Sequence, residues 1–364
     1  MDRTLDRLTR AIQAYQGPPV RLMEVCGTHT RQISAFGIPA LLPPNLSLIS
    51  GPGCPVCVTP ARYIDQAAAL SLRPNATLLS FGDLWRVPGR GTSLMKARAQ
   101  GGCVELMYSP MDALQKAAQA PERVFYVAAV GFETTLPAYA LLLQKAHESG
   151  IRNLRLFPAL KALVPALRWI CEHNPDIHGF LGPGHVRAIL GYGGYQPLCA
   201  QYRIPMAVAG FGYEHLIAAI FDLIRQIQRG SCEARNLYPG AVSREGNQAA
   251  LALINRFFVR KTSFWRGLGA IDDSGYYLAP EYAAFDAGLD DSMGQPSDAD
   301  EPDGCLCGSV IMGRARPVDC GHFGHSCTPE TPLGPCMVSS EGACGIWYAN
   351  GYSHVHLDKR FTDT

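Results

Sequence analysis

Short apolar runs alternate with amphipathic runs up to about residue 235, and this alternation restricts the fold more than any other feature. The apolar runs, rich in branched and aromatic side chains, lie at 20–25, 46–50, 76–81, 103–108, 123–130, 154–158, 178–181 and 205–210. Helical patterns flank them, at 2–15 and near 60–70, 109–119, 133–147, 161–172 and 213–228. Short buried strands separated by helices are typical of parallel sheets with helices on their faces. The sequence therefore predicts an α/β fold.

The length of the chain and a change in its sequence pattern near residue 235 predict several domains. The chain has 364 residues, too many for one ordinary hydrophobic core, and 47% of them are apolar. We expect an N-terminal helix and strand (1–45), two parallel-sheet α/β domains that face a cleft (46–150 and 151–235) and a smaller, irregular C-terminal domain (236–364). An acidic stretch at 286–304 has the composition of a loop or linker.

The charge and hydropathy of the chain favour neither nucleic acid nor a membrane as a partner. The formal net charge is +1, which provides no strong attraction for polyanions. No run approaches the roughly 20 apolar residues of a membrane span, and residues 1–17 carry charges where a secretory signal needs an apolar core. We therefore expect a cytosolic protein, in which clustered cysteines more often bind metal or do redox chemistry than form structural disulfides.

Two cysteine-containing loops directly follow predicted strands. Cys26 and His29 lie in the sequence Cys-Gly-Thr-His-Thr, and Cys54 and Cys57 form a Cys-x-x-Cys pair after Gly-Pro-Gly. Loops at the carboxyl ends of parallel strands are where α/β proteins bind ligands. The pair is typical of a redox or soft-metal site, with a structural zinc site as its rival. A buried Cys26 that acts only as a small apolar residue is an equally good interpretation of the first loop.

Two further side chains are candidates for the same cleft. Glu133 lies at a strand-to-helix junction in Gly-Phe-Glu-Thr-Thr, and His185 lies in a Gly-Pro-Gly-His turn that echoes the turn before Cys54. The carboxylate could instead only complement the dipole of the following helix, and a lone histidine is more often structural. The echo is compatible with an internal duplication and equally with chance recurrence of a turn.

Six of the thirteen cysteines lie within forty residues near the C-terminus, at Cys305, Cys307, Cys320, Cys327, Cys336 and Cys344. The segment has many Gly and Pro residues and little periodicity, so it needs a covalent or metal anchor to be ordered. Four thiolates suit a [4Fe–4S] cluster or zinc. The spacings match neither paired zinc knuckles nor the tight cysteine triplet of bacterial ferredoxins, and they do not choose the ligands.

Together these motifs resemble the HypD family of hydrogenase maturation proteins over essentially the whole chain. The resemblance is carried by MEVCGTHT (23–30), ISGPGCPVCVTP (49–60), FGDLWRVPG (81–89), YSPMDAL (108–114), GFETTLPAY (131–139), PGHV (183–186), WRGLG (265–269) and VSSEGAC (338–344). It implies two α/β domains across a cleft and a third domain with a [4Fe–4S] cluster. It also implies assembly of the Fe(CN)2CO unit of [NiFe] hydrogenases together with a HypC-type small chaperone and a HypE-type cyanide donor.

The resemblance also implies a role for each cysteine of these motifs. It implies that cluster ligation falls on Cys305, Cys320, Cys327 and Cys344, and that a disulfide-capable pair beside the cluster is Cys307 with Cys336. It further implies that Cys26 holds the iron with His29 nearby, and that Cys54 and Cys57 are a redox-active pair in the cleft. The stretch GFGYEHL at 210–216 departs from the Gly-Phe-Glu-Pro of the family, so we assign it no role.

Two functions of other classes stay open at this point. One is a free-standing thiol–disulfide oxidoreductase in which Cys54 and Cys57 turn over on a substrate. The other is a zinc-stabilised interaction protein without redox chemistry.

Overall fold

The computed structural model describes residues 3–288 and 302–351. Its strands are β1 (Val20–Glu24), β2 (Leu46–Ser50), β3 (Ala76–Ser80), β4 (Val104–Leu106), β5 (Val124–Gly131), β6 (Leu154–Lys161), β7 (Gly179–Pro183), β8 (Met206–Ala209), β9 (Ala234–Asn236), β10 (Phe258–Trp265) and β11 (Gly269–Leu278). Its α-helices are α1 (Arg3–Gln13), α2 (Gly27–Ala35), α3 (Ala61–Ser71), α4 (Leu94–Ala99), α5 (Pro110–Gln119), α6 (Leu136–Glu148), α7 (Leu163–His173), α8 (Gly184–Leu190), α9 (Gln196–Tyr202), α10 (Tyr213–Arg229), α11 (Gln248–Phe257), α12 (Cys307–Ile311), α13 (Pro335–Val338) and α14 (Ala343–Ala349). Every run predicted as a strand forms one, so the α/β class is confirmed.

The strands form two sheets. The first sheet has the order β2-β1-β7-β8-β9 and is parallel throughout. The second sheet has the order β10-β11-β6-β5-β3-β4, in which β3 to β6 are parallel. The hairpin of β10 and β11, which the sequence did not predict, joins β6 as an antiparallel edge. The architecture is therefore two parallel-rich sheets.

The sheets take their strands from interleaved parts of the chain. β1 and β2 pair with each other and β1 also pairs with β7, more than 120 residues further along. In the second sheet, β6 pairs with β5, which precedes the predicted boundary at 150/151. Both sheets therefore include strands from either side of a predicted domain boundary, and the boundaries at 45/46 and 150/151 stay predictions.

Three apolar clusters hold the sheets and helices together. The largest combines side chains from both sheets, such as Leu78 and Phe180, with side chains from α3, α7 and α9. A second covers the other face of the second sheet with α5, α6 and α11, and a third covers the first sheet with α1 and α10. Because each fully buried large apolar side chain contributes roughly 1.5–3 kcal/mol, the shared cluster fixes the two sheets against each other.

The C-terminal segment, residues 302–351, is irregular apart from α12, α13 and α14 and packs on the first sheet. The Arg21 guanidinium on β1 donates a hydrogen bond to the Gly313 carbonyl, and the Asn174 amide donates one to the Met312 carbonyl over 2.8 Å. These contacts hold the segment against β1 and against the end of α7. Residues 289–301 of the predicted linker lie outside the described part of the chain.

Candidate functional site

Cys26 lies at the carboxyl end of β1, immediately before α2. Its thiol is 3% exposed, and burial raises the pKa of this thiol to about 12, against the opposing influence of nearby backbone amides. The Cys26 amide donates a hydrogen bond over 3.0 Å to the carboxylate of Glu24, which also accepts one from the Thr30 hydroxyl. Glu24, which sequence reasoning did not single out, therefore ties both sides of the Cys26 loop together.

Two glycines allow three segments to meet at Cys26. A Cβ at Gly53 would come closer than 3.0 Å to the backbone of Cys26, and a Cβ at Gly27 would come equally close to the backbone of Glu341. The Gly27 amide donates a hydrogen bond to the Gly53 carbonyl over 3.2 Å. The Cys26 loop, the Cys54 loop and the C-terminal segment are thus in backbone contact where no side chain intervenes.

Cys54 and Cys57 form a disulfide, with their Cα atoms 5.2 Å apart. Both residues are buried in the turns between β2 and α3. Because α3 begins at Ala61, Cys57 lies four residues before the helix rather than in its first turn. The cavity beside the disulfide is also lined by Cys336 and Glu341 of the C-terminal segment. The Cys-x-x-Cys pair therefore faces the cysteine-rich part of the chain.

All six cysteines of the C-terminal segment line one small apolar cavity. All six are free thiols, and Cys307 lies within hydrogen-bond reach of Cys305 and Cys336. Hydrogen bonds from these two thiols lower the pKa of Cys307, and the same contact raises the pKa of Cys336. Cys336 is also the cysteine that this cavity shares with the cavity of the disulfide.

This donor set fits a soft inorganic group. Six thiols around an apolar space match the thiolate ligation of iron–sulfur clusters and of zinc. Within residues 3–288 and 302–351, no three or more His, Cys, Asp or Glu side chains are arranged to hold a single metal ion. Which four of the six cysteines act as ligands, and for which group, stays a prediction.

Glu133 lies between β5 and α6, three residues before the helix begins at Leu136. Glu133 is therefore not in the first turn of α6, where a carboxylate would complement the helix dipole. Its Oε1 accepts a hydrogen bond from the Leu163 amide over 2.8 Å at the carboxyl end of β6, and its Oε2 has no partner among the described residues. Burial raises the pKa of this carboxyl, and the charge of Arg187 opposes that rise most strongly.

His29 and His185 both lie against the Phe211 ring, with centroid distances of 5.1 and 5.2 Å. Burial lowers the pKa of both histidines, that of His29 to about 4, so both are neutral near pH 7. Nε2 of His29 lies 3.1 Å from the Gly210 carbonyl and donates to it, because a carbonyl only accepts. Phe211, in the stretch to which the sequence assigned no role, thus joins the loops after β1 and β7.

The predicted site residues outside the C-terminal segment lie after strands of both sheets. Cys26, Cys54 and Cys57 follow the neighbouring strands β1 and β2 and lie under the C-terminal segment. Glu133 follows a strand of the second sheet, whereas His29 and His185 follow strands of the first. Sequence reasoning missed Glu24, Phe211 and Glu341, because each was an unremarked neighbour within a larger motif or stretch.

The described residues contain no helix that is both long and apolar enough to cross a bilayer.

Residues 3–351 match the HypD family, described as the hydrogenase formation hypA family. The chain is 43% identical to a hydrogenase maturation factor HypD of Azotobacter vinelandii, over 96% of this chain and 94% of the relative. A HypD of Rhizobium leguminosarum bv. viciae is also 43% identical, over 94% and 92% of the two chains. A HypD of Escherichia coli K12 is 41% identical, over 91% and 89%.

These matches cover the Cys26 loop, the disulfide turn and the cysteine-rich segment alike. The fold, the placement of the motifs at strand ends and the similarity over nearly the full length lead to one conclusion. The chain belongs to the HypD family of hydrogenase maturation factors.

Proposed function

We propose that this chain is a scaffold and redox centre on which the Fe(CN)2CO unit of the [NiFe] hydrogenase site is assembled, together with a HypC-type small chaperone. One observation carries the proposal: Cys336 lines both the cavity of the six cysteines and the cavity of the Cys54–Cys57 disulfide. Gly27, the neighbour of Cys26, lies in the wall of the second cavity. An iron-holding thiol, a reducible disulfide and a thiol-rich segment are thus adjacent.

In this proposal Cys26 holds the iron cargo. Low-spin iron that carries cyanide and carbonyl favours a soft donor, and a cysteine thiolate is one. Metal binding displaces the thiol proton, and the buried position of Cys26 keeps water and competing ligands away from the iron. The neutral ring of His29 lies in the loop of the same thiol. A HypE-type protein would deliver the cyanide.

The C-terminal segment would supply the electrons for assembly. Cys305, Cys320, Cys327 and Cys344 would hold a [4Fe–4S] cluster, which provides electrons one at a time. Cys307 and Cys336 are the thiols left over. As a dithiol they can exchange with the Cys54–Cys57 disulfide, since thiolate attack breaks the S–S bond of the cleft and leaves a Cys307–Cys336 disulfide. The shared lining by Cys336 supports this direction of transfer.

The burial of the Cys54–Cys57 disulfide argues against a free-standing oxidoreductase. Cys54 is 5% exposed and Cys57 is 1% exposed. Thiol–disulfide exchange needs an attacking thiolate in contact with sulfur, so a protein substrate could not reach this pair in the described conformation. Cys336 of the same chain lines the cavity beside the disulfide and can approach the pair from there.

The test is anaerobic purification with and without a HypC-type partner, followed by metal and sulfide analysis and infrared spectroscopy. We expect brown protein with about four irons and as many sulfides, and in the complex one further iron with cyanide and carbonyl stretching bands. Cys26→Ser should keep the cluster and lose the further iron and its bands. Colourless protein that contains zinc would exclude the redox function and support an interaction protein.

A further inference from the structure

A buried arginine close to this site has no part in the function proposed above. Arg187 lies in α8, two residues after His185, and is 1% exposed. Its Nη1 donates a hydrogen bond to the Gly191 carbonyl over 3.1 Å, and its guanidinium stacks on the Tyr195 ring at 3.3 Å from the centroid. Its Nε and Nη2 are buried without a hydrogen-bond partner among the described residues.

Two unused donors on a buried cation are energetically unfavourable. An unsatisfied buried polar group destabilises the folded state, and a charged group does so more strongly. Guanidinium groups stay charged in proteins, whereas buried lysine ammonium groups can lose their proton. Arg187 is therefore a fixed positive charge with two N–H donors available for an acceptor.

The surroundings leave this charge incompletely balanced. The charge of Arg187 lowers the pKa of Glu133, but burial raises that pKa more, and Oε2 of Glu133 has no partner within the described residues. Tyr195 is buried and uncharged, because burial raises its pKa above 10.0. Burial also keeps His185 neutral. The interior at Arg187 thus favours a small anionic acceptor.

Arg187 lies in the same interior as the proposed iron site. α8 follows β7, which pairs with β1, and the Val25 amide beside Cys26 donates to the Leu181 carbonyl over 3.2 Å. The charges of Arg187, Glu133 and Cys26 each influence the pKa of Tyr195, on which the guanidinium stacks. Groups that follow β1, β5 and β7 are therefore within electrostatic range of Tyr195.

We propose that Arg187, stacked on Tyr195, binds the nitrogen end of a cyanide group. The proposal rests on the proposed function and deepens it. A cyanide nitrogen is a compact acceptor that carries much of the negative charge of the group, whether cyanide is free or bound to iron. Two adjacent N–H donors match it, whereas phosphate has three or more oxygens to satisfy.

Two measurements test the site and separate the two forms of cyanide. Metal-free protein is titrated with thiocyanate, a linear anion with a nitrile stretching band, and binding is followed by infrared spectroscopy. The second measurement records the cyanide and carbonyl bands of the iron-loaded complex with a HypC-type chaperone. Both compare wild type with Arg187→Met and with Arg152→Met, a matched change at an exposed position.

We expect Arg187→Met to weaken thiocyanate binding about tenfold or more, the usual effect of losing a charged hydrogen bond. In the loaded complex it should shift a cyanide band and leave the carbonyl band closer to its wild-type position. Arg152→Met should change neither. A response in the thiocyanate titration alone would assign the site to free cyanide, and a response in the complex alone would assign it to iron-bound cyanide.

The proposal is overturned if folded Arg187→Met behaves as wild type in both measurements. Folding is checked by thermal melting, and if Arg187→Met does not fold, Arg187→Lys decides, because it keeps the charge but loses the forked donors. Wild-type binding by the lysine variant in both measurements would then exclude the site. If wild-type complex shows neither cyanide nor carbonyl bands, the proposed function fails, and the thiocyanate titration alone decides on Arg187.

Discussion

At the scale of single residues, Glu133 is a carboxyl whose charged form the folded protein disfavours. Burial raises its folded pKa above the usual 4.5, so the folded state holds the proton more tightly than the unfolded state. Tighter binding of this proton stabilises the folded wild-type protein at low pH. The stabilisation is lost as pH rises above the unfolded pKa and through the folded pKa. Glu133→Gln keeps an acceptor for the Leu163 amide and has no charge to bury.

We therefore expect the unfolding free energy of Glu133→Gln, relative to wild type, to rise with pH. Urea unfolding at several values between about pH 5 and pH 8 measures this difference, in which the other titrating groups largely cancel. Glu122→Gln, at an exposed position, is the matched control. A Glu133→Gln difference that stays constant or falls over this range would show that its charged form is not penalised by folding.

The residues predicted from the sequence are those whose local pattern already implied a position. Cys26 and Cys54 follow apolar strands, so their place at the carboxyl edge of a sheet followed from topology. Arg187 and Glu341 could not be found in that way. Arg187 stacks on an aromatic ring eight residues away, and Glu341 contacts Gly27, which is more than 300 residues distant. No spacing in the sequence encodes such contacts.

At the scale of secondary-structure elements, α2 and the C-terminal segment fit together because Gly27 has no side chain. A Cβ there would come closer than 3.0 Å to the Glu341 backbone, which cannot rotate away as a flexible side chain could. We expect Gly27→Ala to lower the unfolding free energy by about 1–3 kcal/mol, the usual cost of overpacking, as measured by urea unfolding.

Gly240→Ala is the control for this prediction, because a Cβ at Gly240 would meet nothing within 4 Å. It should leave stability nearly unchanged. If Gly27→Ala were as stable as Gly240→Ala, α2 and the C-terminal segment would not be held in the described contact.

The hairpin of β10 and β11 shows why no strand was predicted beyond residue 235, although a helix was predicted at 246–258 and is present as α11. Residues 259–262 of β10 read Val-Arg-Lys-Thr, and most of their side chains are exposed at the edge of the sheet. Such a run has neither the continuous apolar pattern of a buried parallel strand nor a helical period. The hairpin joins β6 through β11, and its place is set by tertiary packing, including the buried Lys161 ammonium of β6, which donates to the Phe264 carbonyl of β10 over 2.7 Å.

At the scale of the whole molecule, the cysteine-rich segment is held against the first sheet by contacts far apart in sequence. The Arg314 guanidinium donates to the His173 carbonyl over 2.6 Å, at the end of α7, and α14 packs on α2. These contacts place Cys336 in the walls of two cavities at once. The order of the segments along the chain conceals this arrangement, since about 280 residues separate Cys54 from Cys336.

Electron transfer from the cysteine-rich segment to the Cys54–Cys57 disulfide depends on Cys307 and Cys336 acting as a pair. Cys307 lies within hydrogen-bond reach of Cys336, so once Cys336 has attacked the Cys54–Cys57 disulfide, Cys307 can resolve the mixed disulfide. Cys307→Ser leaves Cys336 able to form a mixed disulfide but unable to resolve it. We expect this variant to lose cluster-dependent reduction of the Cys54–Cys57 disulfide while it keeps its iron and sulfide.

Stopped reactions with a thiol-trapping reagent and mass spectrometry report the state of Cys54 and Cys57 after the cluster is reduced. Cys232→Ser is the control, because Cys232 lies outside both cavities and its thiol donates only to the Arg203 carbonyl over 2.9 Å, as a serine hydroxyl can. This variant should reduce the disulfide at the wild-type rate. Wild-type reduction in Cys307→Ser with its cluster intact would mean that electrons reach the cleft without the pair, and the shared wall at Cys336 would then be only a packing contact.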